Sequence, residues 1–359
     1  MKKAINAKFA KVLFVAVVLL IMSILLPNHR VSAATKAKPG KTKITSVTVT
    51  KTPEKPYLNV KWNKATHGTH YQVGRRSVNR SWKYWKSVAY TKKNLKAYTK
   101  KNQLKVVKKT YKSKGKTKNI FKVYRYVYSY KALTKNEKVL SKKIDAGYGK
   151  TYYIAVRAYN GKYGSWSNAY KISTGSKPKL KYTVKDDPKV CLISVTNTYD
   201  VPVMVNISYG LYASGKLKYS EESYISCIDP GKIGYAGVDK ESYVGDTSRI
   251  NLTAETLPIA TYSKYVSIKN TDKDLNVISG EIHNSSNRRL LVSASIIYYK
   301  AGKVIFFDGG TIFKRVGKKG VGFFAANNFT GEEAQYNITD FDSFKVVIDY
   351  VIDADEFDF

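Results

Sequence analysis

Residues 150–170, K-T-Y-Y-I-A-V-R-A-Y-N-G-K-Y-G-S-W-S-N-A-Y, decide the fold of the N-terminal half of the chain. The first ten alternate, which predicts a β-strand with Tyr152, Ile154, Val156 and Ala158 on one face and Tyr153, Ala155, Arg157 and Tyr159 on the other. Asn160-Gly161 is a pair that tolerates positive φ, and a second short strand follows through Ala169 to Ile172. The stretch therefore predicts two consecutive antiparallel strands.

Three further strands are predicted upstream. Residues 44–50 alternate, residues 57–63 place Trp62 on an apolar face, and a third strand begins at Tyr71. This order, with the later Thr-x-x-aliphatic-x-Val-Arg-Ala-Tyr run, turn and Ser-Trp-Ser, resembles a fibronectin type III module, especially the type found in bacterial surface proteins. The resemblance implies that Trp62 is the core tryptophan and that Tyr152 forms a "tyrosine corner".

A long insertion interrupts this module between about residues 90 and 140. It contains 17 Lys and Arg residues and one acid, Glu137. Insertions of this length are usually functional or disordered, but residues 120–130 alternate with high β propensity. We therefore predict a basic, tyrosine-rich hairpin in which residues 104–111 pair with residues 120–130 across Lys114-Gly115-Lys116.

The C-terminal half contains an internal repeat with an offset of 87 residues. The positions that coincide are Asn197 and Asn284, Tyr212 and Tyr299, Gly215 and Gly302, and Lys216 and Lys303. Each copy is predicted to be a strand, an Asn-centred turn, a long strand and a Gly-Lys turn, closed by a late strand at residues 265–268 or 344–350. Coincidence over about 90 residues indicates a duplication.

The repeat resembles the FxLYD-type immunoglobulin-like modules of bacterial envelope proteins, in which an Asn turn precedes a long strand that ends near a Gly-Lys turn. Two features depart from that pattern. The motif's acidic residue is replaced by Ala213 in one copy and Lys300 in the other, and its leading aromatic residue survives only as Tyr209. The resemblance implies the fold but no ligand.

Together these patterns predict an all-β protein of tandem β-sandwiches. Residues 34–43 form a basic linker without apolar periodicity, which we expect to be mobile. A fibronectin type III-like domain follows at 44–178, and two immunoglobulin-like modules follow at 179–270 and 271–359.

Residues 1–33 have the features of a secretory signal peptide. The start is basic, residues 12–26 are an uninterrupted run of apolar or small residues, and Val31-Ser32-Ala33 is a small-residue cleavage site. A retained membrane anchor is the alternative, but fifteen residues are few for a span. We expect a secreted, extracellular protein associated with the cell surface, with no membrane span after cleavage.

The two cysteines, Cys191 and Cys227, both lie in the middle region. Export would permit one disulfide between them. Two unrelated small core residues are an equal alternative, and the spacing alone does not choose between them.

The charge is divided unevenly along the chain. Residues 35–180 contain 38 Lys and Arg against 3 acids, whereas residues 181–359 contain 20 against 23. A charge this one-sided attracts anionic partners and raises encounter rates with acidic polymers. The expected partner is an anionic cell-envelope polymer (teichoic acid or an acidic polysaccharide) or a carbohydrate. Other surface proteins are further candidates. Nucleic acid is expected to bind only non-specifically. A merely solvated basic surface is the alternative.

The candidate binding residues are aromatic side chains interleaved with cations, in the segments 82–86 and 122–131 and the basic strand between them. Aromatic rings can stack on sugar rings or bases while lysines hold phosphate or carboxylate groups. The predicted set is Trp82, Tyr84, Trp85, Lys108, Lys109, Lys122, Tyr124, Arg125 and Tyr126. The alternative, packing of half of these side chains in a core, has equal weight.

The sequence offers little for catalysis. His67 and His70 lie three apart in a predicted turn without a Cys or acidic partner, and metal sites normally need three or four ligands. No Gly-x-Ser-x-Gly elbow occurs, and Asp272 and Asp274 lack the rest of an EF-hand loop. We expect no enzyme activity, metal or cofactor.

The predicted function is therefore that of a non-enzymatic, exported binding protein whose basic N-terminal module attaches to an anionic envelope polymer or carbohydrate. In the alternative, the protein is a structural or assembly component that acts through protein–protein contacts of its β-sandwich modules.

Overall fold

The computed structural model describes residues 36–99, 104–187, 190–239, 247–274, 277–327 and 340–356. These residues form twenty β-strands, one α-helix and two short 3-10 turns, at Ser263–Tyr265 and Ala354–Glu356. The strands build small antiparallel sheets in pairs, so the predicted all-β fold of tandem β-sandwiches is confirmed. The predicted signal peptide lies outside the described residues.

The first module is a sandwich of two antiparallel sheets, β1-β2-β6 and β4-β5-β3-β7-β8. Its elements are β1 (Ile44–Thr50), β2 (Tyr57–Trp62), β3 (His70–Ala89), α1 (Lys92–Thr99), β4 (Leu104–Ser113), β5 (Lys116–Ala132), β6 (Ser141–Asp145), β7 (Thr151–Tyr159) and β8 (Tyr170–Ser173). The core side chains between the sheets include Leu58, Val60, Trp62, Ile154 and Val156. Residues 150–173 supply its β7–β8 pair.

Two aromatic residues connect this core to its loops. The Tyr152 hydroxyl accepts a hydrogen bond from the Gly147 backbone N–H at 2.8 Å, the kind of contact by which a tyrosine corner fixes the loop before its strand. The Tyr71 hydroxyl accepts one from Ala65 N–H at 2.9 Å, and its ring packs 5.9 Å from that of the buried Trp62.

The linker predicted to be mobile is hydrogen-bonded to this sandwich at Ala37 and Gly40. Gly40 N–H donates to the Thr66 carbonyl at 2.8 Å, and the Asn160 side-chain amide donates to the Ala37 carbonyl at 2.7 Å. The expectation of mobility was wrong for residues 37–43. Hydrogen bonds between its backbone and loops distant in sequence order this segment. The composition of the segment does not indicate these contacts.

Strands β3 and β5 leave the sandwich without a break and pair from Gly74–Ala132 out to Ala89–Ile120. Strand β4 adds to β5 along its whole length, across a turn at Lys114-Gly115 where both residues have positive φ. The predicted hairpin is confirmed. We call residues 80–89, 104–113 and 116–128 of these three strands the ribbon. Because β3 continues into it, the departure from the sandwich begins near residue 77, before the predicted boundary of 90.

Helix α1 was not predicted. Its N-terminus is capped by Thr91, whose Oγ1 accepts the Asn94 backbone N–H at 3.0 Å. None of its residues is buried, so the helix depends on the side chains it covers on the ribbon and not on a core of its own.

The second and third modules share one architecture. The second has β9 (Lys181–Asp186), β10 (Val190–Thr196), β11 (Val203–Ala213), β12 (Lys216–Ile228), β13 (Ile233–Asp239) and β14 (Thr247–Thr256); the third has β15 (Val266–Asp274), β16 (Val277–Asn284), β17 (Leu290–Lys300), β18 (Lys303–Val316), β19 (Val321–Asn327) and β20 (Ser343–Asp353). Their sheets are β13-β10-β9 with β12-β11-β14, and β15-β16-β19 with β18-β17-β20. The same strands pair in both, which agrees with a duplication.

One closing strand was wrongly placed. The second module ends with β14, whose residues 250, 252 and 254 alternate as apolar side chains against its core. Val266 instead begins β15, which pairs with β16 of the third module. The boundary between these modules therefore lies within residues 257–265 and not at 270, because pairing with β16 and not the local pattern assigns the strand.

Equivalent asparagines hold the same turn in both copies. Asn197 and Asn284 are buried, and each side-chain amide donates to the carbonyl four residues ahead and to a carbonyl of the distant turn. The acceptors are Val201 and Ile228 for the first copy and Arg288 and Gly317 for the second, each at 2.8 Å. Each Oδ1 accepts the N–H two residues ahead. Asparagine is required because it both donates and accepts at one buried point.

The second and third modules pack face to face. The outer side of the β13-β10-β9 sheet lies on the outer side of the β18-β17-β20 sheet, and the apolar contact comprises Val190, Leu192, Ile297, Val304 and Val347. The Val304 N–H also donates to the Asp187 carboxylate at 2.8 Å. The C-terminal half is therefore a joined pair of sandwiches.

Both cysteines are free thiols, so the structure excludes the disulfide. Cys191 lies in the core of the second module. Strand β12 has a bulge between Ile225 and Ile228, which both face that core. Cys227 lies within this bulge and, unlike Cys191, does not belong to that core cluster.

The first and second modules meet at a hydrogen-bonded junction. The Asp200 N–H donates to the Lys51 carbonyl at 3.0 Å, and the Lys51 N–H donates to the Asp200 carboxylate at 2.8 Å. Thr256 donates both its N–H and its hydroxyl to the Glu54 carboxylate, at 2.9 and 2.7 Å. Partial burial acts to raise the pKa of Glu54. The hydrogen bonds from Thr256 and Thr52 outweigh that effect and lower the pKa to about 2.

This lowered pKa predicts an acid-sensitive junction. Because the docked form favours the carboxylate, its stabilisation is complete above the ordinary glutamate pKa of 4.5 and is lost as the pH falls towards 2. The Thr256 amide chemical shift should titrate with a midpoint near 2 and lose that transition in Glu54→Gln. A midpoint near 4.5 would show that Glu54 does not hold the junction.

The free thiols predict a simple chemical result. Burial raises the pKa of Cys227 to about 12, with Asp229 adding to the effect, so its thiolate is scarce at pH 8. A thiol reagent should label neither cysteine in the folded protein and both after denaturation without reductant. Absence of labelling in the denatured protein would indicate a disulfide.

Candidate binding face of the ribbon

The ribbon and the adjoining sheet have an uncompensated positive charge. Residues 75–132 contain twenty Lys and Arg residues and not one Asp or Glu. No carboxylate of the same segment can neutralise these cations, so the segment has a strong positive field at its surface. Whether that field can bind a ligand depends on which side chains share a face.

Side-chain alternation divides the predicted residues between two faces, and a bulge at Trp85 shifts the register of β3 beyond it. Tyr84 pairs with Tyr124 and Lys86 with Val123, which leaves Trp85 as the extra residue of β3. Even-numbered residues of β5 lie on the side that is solvent-facing in the sandwich, which we call the outer face. Odd-numbered residues lie on the side that α1 covers, the helix face.

The helix face is a small packed cluster. Phe121 is 3% exposed and Val123 is buried, and Tyr90 stacks on Phe121 with ring centroids 4.8 Å apart. Trp85 contacts Tyr98 of α1 edge to face at 6.5 Å. These contacts attach the helix to the ribbon.

Three predicted binding residues belong to this cluster. The Arg125 guanidinium lies 4.7 Å from the Trp85 ring, and Lys108 Nζ lies 4.8 Å from the Tyr90 ring. Their cations are already engaged with aromatic rings of the protein. The structure therefore assigns Trp85, Lys108 and Arg125 a packing contact and separates them from the rest of the predicted set.

The outer face brings the other predicted residues together. Trp82 is 39% and Tyr84 55% exposed, Tyr84 meets Tyr124 edge to face at 6.1 Å, and Lys122 Nζ lies 5.7 Å from the Tyr84 ring. Lys109 lies on the same face by register with Ile120. Tyr126 pairs with Trp82 in the backbone, but its side chain lies outside the described residues.

Strand β4 adds two residues that the sequence did not single out. Lys105 pairs with Tyr124 and Tyr111 with Lys118, which places both on the outer face, and both are exposed. The sequence feature that could have identified Lys105 and Tyr111 is the alternation of side chains in residues 104–113. It shows which face they occupy only when the pairing of β4 with β5 is known.

Arginine–aromatic stacks continue the outer face onto the sandwich. The Arg76 guanidinium lies 4.0 Å from the Tyr128 ring and 3.8 Å from the Tyr153 ring. Further along, the Arg157 guanidinium contacts the rings of Tyr163 and Trp166 at 3.6 and 4.5 Å. Sequence reasoning placed Tyr153 and Arg157 on the non-core face of β7 but did not connect them with the ribbon.

The two ends of the outer face differ in what they offer a ligand. At the sandwich end, Arg157 is stacked and also donates to Gln72 Oε1 at 2.9 and 2.7 Å, which fixes the guanidinium. On the ribbon, lysines extend beside the exposed Tyr84. Lysines beside exposed aromatic rings suit a ligand with both charged groups and flat apolar surfaces.

The remaining chemical candidates stay apart. His70 Nδ1 lies 2.9 Å from the neighbouring Thr69 Oγ1, and its ring meets Tyr159 edge to face. In the described parts of the chain, no cluster of three or more His, Cys, Asp or Glu side chains could hold a metal ion. Nor does that part contain a helix long and apolar enough to cross a membrane.

The class of protein that this geometry defines is a tandem β-sandwich protein with a fibronectin type III-like first module. No protein-family model and no curated protein matches the chain. Among solved structures, the crystal structure of the FN1-FN3 domains of chicken CNTN1 is similar to it with a TM-score of 0.20 and 13% sequence identity, over 87% of this chain and 98% of that one.

The helix-face cluster predicts that the ribbon has its own stability. Phe121→Ala should cost about 3–5 kcal/mol, the usual penalty for truncating a buried Phe, and expose ribbon amides to hydrogen exchange while β7 remains protected. Tyr84→Ala removes an exposed ring of similar size and should leave that protection unchanged. Equal protection in the two variants would contradict a packed helix face.

Proposed function

We propose that this protein is an exported binding protein that attaches to an anionic cell-envelope polymer, teichoic acid or an acidic polysaccharide, through the outer face of the ribbon. The observation that carries the proposal is the co-location on one open face of Lys105, Lys109, Lys122, Tyr84 and Trp82 in a segment without a single acid. The lysines hold phosphate or carboxylate groups while the rings stack on sugars.

The distribution of cations favours a linear polymer over a small anion. Lysines two or four residues apart on one face of a strand lie roughly 7 or 14 Å apart, and neighbouring strands add further rows. One phosphate would use only one or two of these groups, whereas an extended polyanion contacts the whole row. Lysine also acts as a point charge on a flexible stem, which tolerates a variable polymer better than a bidentate arginine does.

The fixed sandwich end supports the same role. The guanidinium groups of Arg76 and Arg157 stack on rings of the neighbouring strands and loops, so the sandwich end of the outer face is held by the protein's own contacts. The paired C-terminal modules, with their near-neutral charge, act as a spacer or as a second surface at the cell exterior.

The test is a charge-matched pair of variants on one strand. Lys105→Gln with Lys109→Gln removes two outer-face cations from β4, and Lys108→Gln with Lys112→Gln removes two from its opposite face. Binding of the whole protein to purified wall polymer is measured across a salt series. The first pair should make the slope of log K against log salt shallower by about two, because each lost contact releases about one counterion fewer.

The matched control distinguishes binding at the outer face from binding by net charge alone. Lys108→Gln with Lys112→Gln should retain the slope, and Trp82→Ala should weaken binding at all salt concentrations by roughly 5- to 150-fold, the value of one stacking contact. Equal losses in the two lysine pairs would show that net charge and not the outer face binds. Binding to wall that does not respond to salt, or tighter binding to DNA than to wall polymer, would contradict the proposal.

A further inference from the structure

A second concave site lies between the second and third modules, far from the ribbon in sequence. This cleft has a volume of about 500 Å³ and is lined by residues of β12 and β13 from one module and β17, β18 and β20 from the other. Asp349 is the one charged residue among the described residues that line it. Ligand sites occur preferentially at such junctions, where a few polar groups converge among aromatic side chains.

Two irregularities in the strand pairing of the third module lie at this cleft. On one side of β17, Ser293 pairs with Tyr350 and Ala294 with Ile348, so Asp349 is the extra residue of a bulge. On the other side, Ala294 pairs with Ile312 and Ile296 with Asp308. Residues 309–311 of β18 therefore lie opposite the single residue Ser295 of β17. Two bulges, one in β20 and one in β18, therefore lie beside residues 293–296 of β17.

The second module is an internal comparison. Its equivalent residues, 206–208 of β11, pair with β12 and with β14 without any shift in register. The duplicated fold does not need the two bulges, which the third module has only beside the cleft. Bulges redirect side chains and occur often beside functional sites.

The bulges direct Asp349 onto two buried serines. Ser295 Oγ lies 2.8 and 2.7 Å from the two carboxylate oxygens, and Ser293 Oγ lies 3.2 Å from one of them. Gly310 N–H donates to Ser295 Oγ at 2.8 Å, so the serine hydroxyl is left to donate its proton to the carboxylate. Burial raises the pKa of Asp349, while the serine hydrogen bonds act to lower it.

This carboxylate retains capacity for a ligand. A carboxylate has about four acceptor positions, and the two serine hydroxyls supply two protons. No ion pair in the described parts of the chain includes Asp349. Asp349 is half-buried, and a carboxylate that is partly removed from water is stabilised by pairing, so a cation with N–H donors fits this site.

Aromatic side chains line the same cleft as the carboxylate. Tyr224 of the second module is 65% exposed and Phe313 of the third is 58% exposed, and Tyr350 and Phe307 also line the cleft. Apolar rings grouped at one concave site, and not scattered singly, are the kind of exposed surface that marks a ligand site. Rings around one carboxylate are the arrangement that attracts an ammonium group, through ring faces and charge together.

We propose that the cleft binds a primary ammonium group, such as that of a lysine side chain or a small organic amine, with Asp349 as its counter-ion and Tyr224 and Phe313 as its walls. This site is independent of polymer binding by the ribbon. Neither function requires the other.

The test uses the whole protein and n-butylammonium chloride, with butanesulfonate as an anion of the same chain length. Binding is followed by aromatic side-chain NMR shifts. Butylammonium should shift Tyr224 and Phe313 resonances saturably. Asp349→Asn, which keeps the shape and one acceptor oxygen for the serines, should weaken binding tenfold or more, as expected for the loss of a charge-assisted hydrogen bond. Asp308→Asn is the matched control. Asp308 pairs in the backbone with the core residue Ile296 and does not line the cleft.

A second variant keeps the test decisive if Asp349→Asn unfolds. Tyr224→Ala removes an exposed wall and should weaken butylammonium binding severalfold while the fold is retained. The proposal is overturned if butylammonium produces no saturable shift, if butanesulfonate binds equally well, or if Asp349→Asn binds as tightly as the unsubstituted protein. In those cases Asp349 serves only to secure its own bulge.

Discussion

The pleat of two long strands is the constraint on which the N-terminal half of this molecule depends. Successive side chains of a strand point to opposite faces, and β3 and β5 run from the sandwich into the ribbon without ending. The side that faces the core in the sandwich becomes the helix face, and the solvent side becomes the outer face. A single extra residue, Trp85, then shifts the residues of β3 that follow it, so that Lys86 pairs with Val123 of the helix face. Which residues can meet a ligand together follows from this geometry.

The helix face explains why the outer face can remain open. Isolated ribbons of two or three strands are marginal in water unless one side is covered. Here Tyr90 stacks on the buried Phe121, and Trp85, which is 42% exposed, contacts Tyr98 of α1. The stabilising contacts therefore lie on the helix face, and the outer face does not need to be covered. The high positive charge works against the fold by self-repulsion, and the cation–ring contacts of Arg76, Arg125 and Arg157 offset part of it.

The C-terminal modules show how a duplicated fold diverges. The buried asparagine of each copy is kept because its four hydrogen-bonding positions secure a turn that both copies need. The faces have changed instead. One sheet of the second module became an apolar contact for the third, and β17 of the third acquired bulges on both sides that β11 lacks. The cleft with Asp349 exists only because both changes occur at the same junction.

Much of the architecture was accessible from local pattern. The alternation in residues 150–159, the Lys114-Gly115 turn, the repeat offset and the two asparagine turns all depend on contacts within a strand or between neighbouring strands. Errors arose where the partner was distant. Residues 265–268 were assigned to the wrong module because either of two sheets could have recruited them. Cys191 and Cys227 were candidates for a disulfide because a bulge at Cys227 has no sequence signature, and residues 37–43 were expected to be mobile because their partners lie in distant loops.

The sequence by itself therefore determined the strand class, the repeat and the concentration of positive charge in one half of the chain, since these follow from side-chain period and composition. Only the tertiary structure decided that the side with Trp85 meets α1 while the side with Trp82 and Tyr84 does not. It likewise decided that Arg76 lies between Tyr128 and Tyr153, and that Asp349 lies in a cleft between modules. The physical reason is that strand partners and bulges are selected by packing across long sequence separations. A period of two specifies which side chains alternate but not what each face meets.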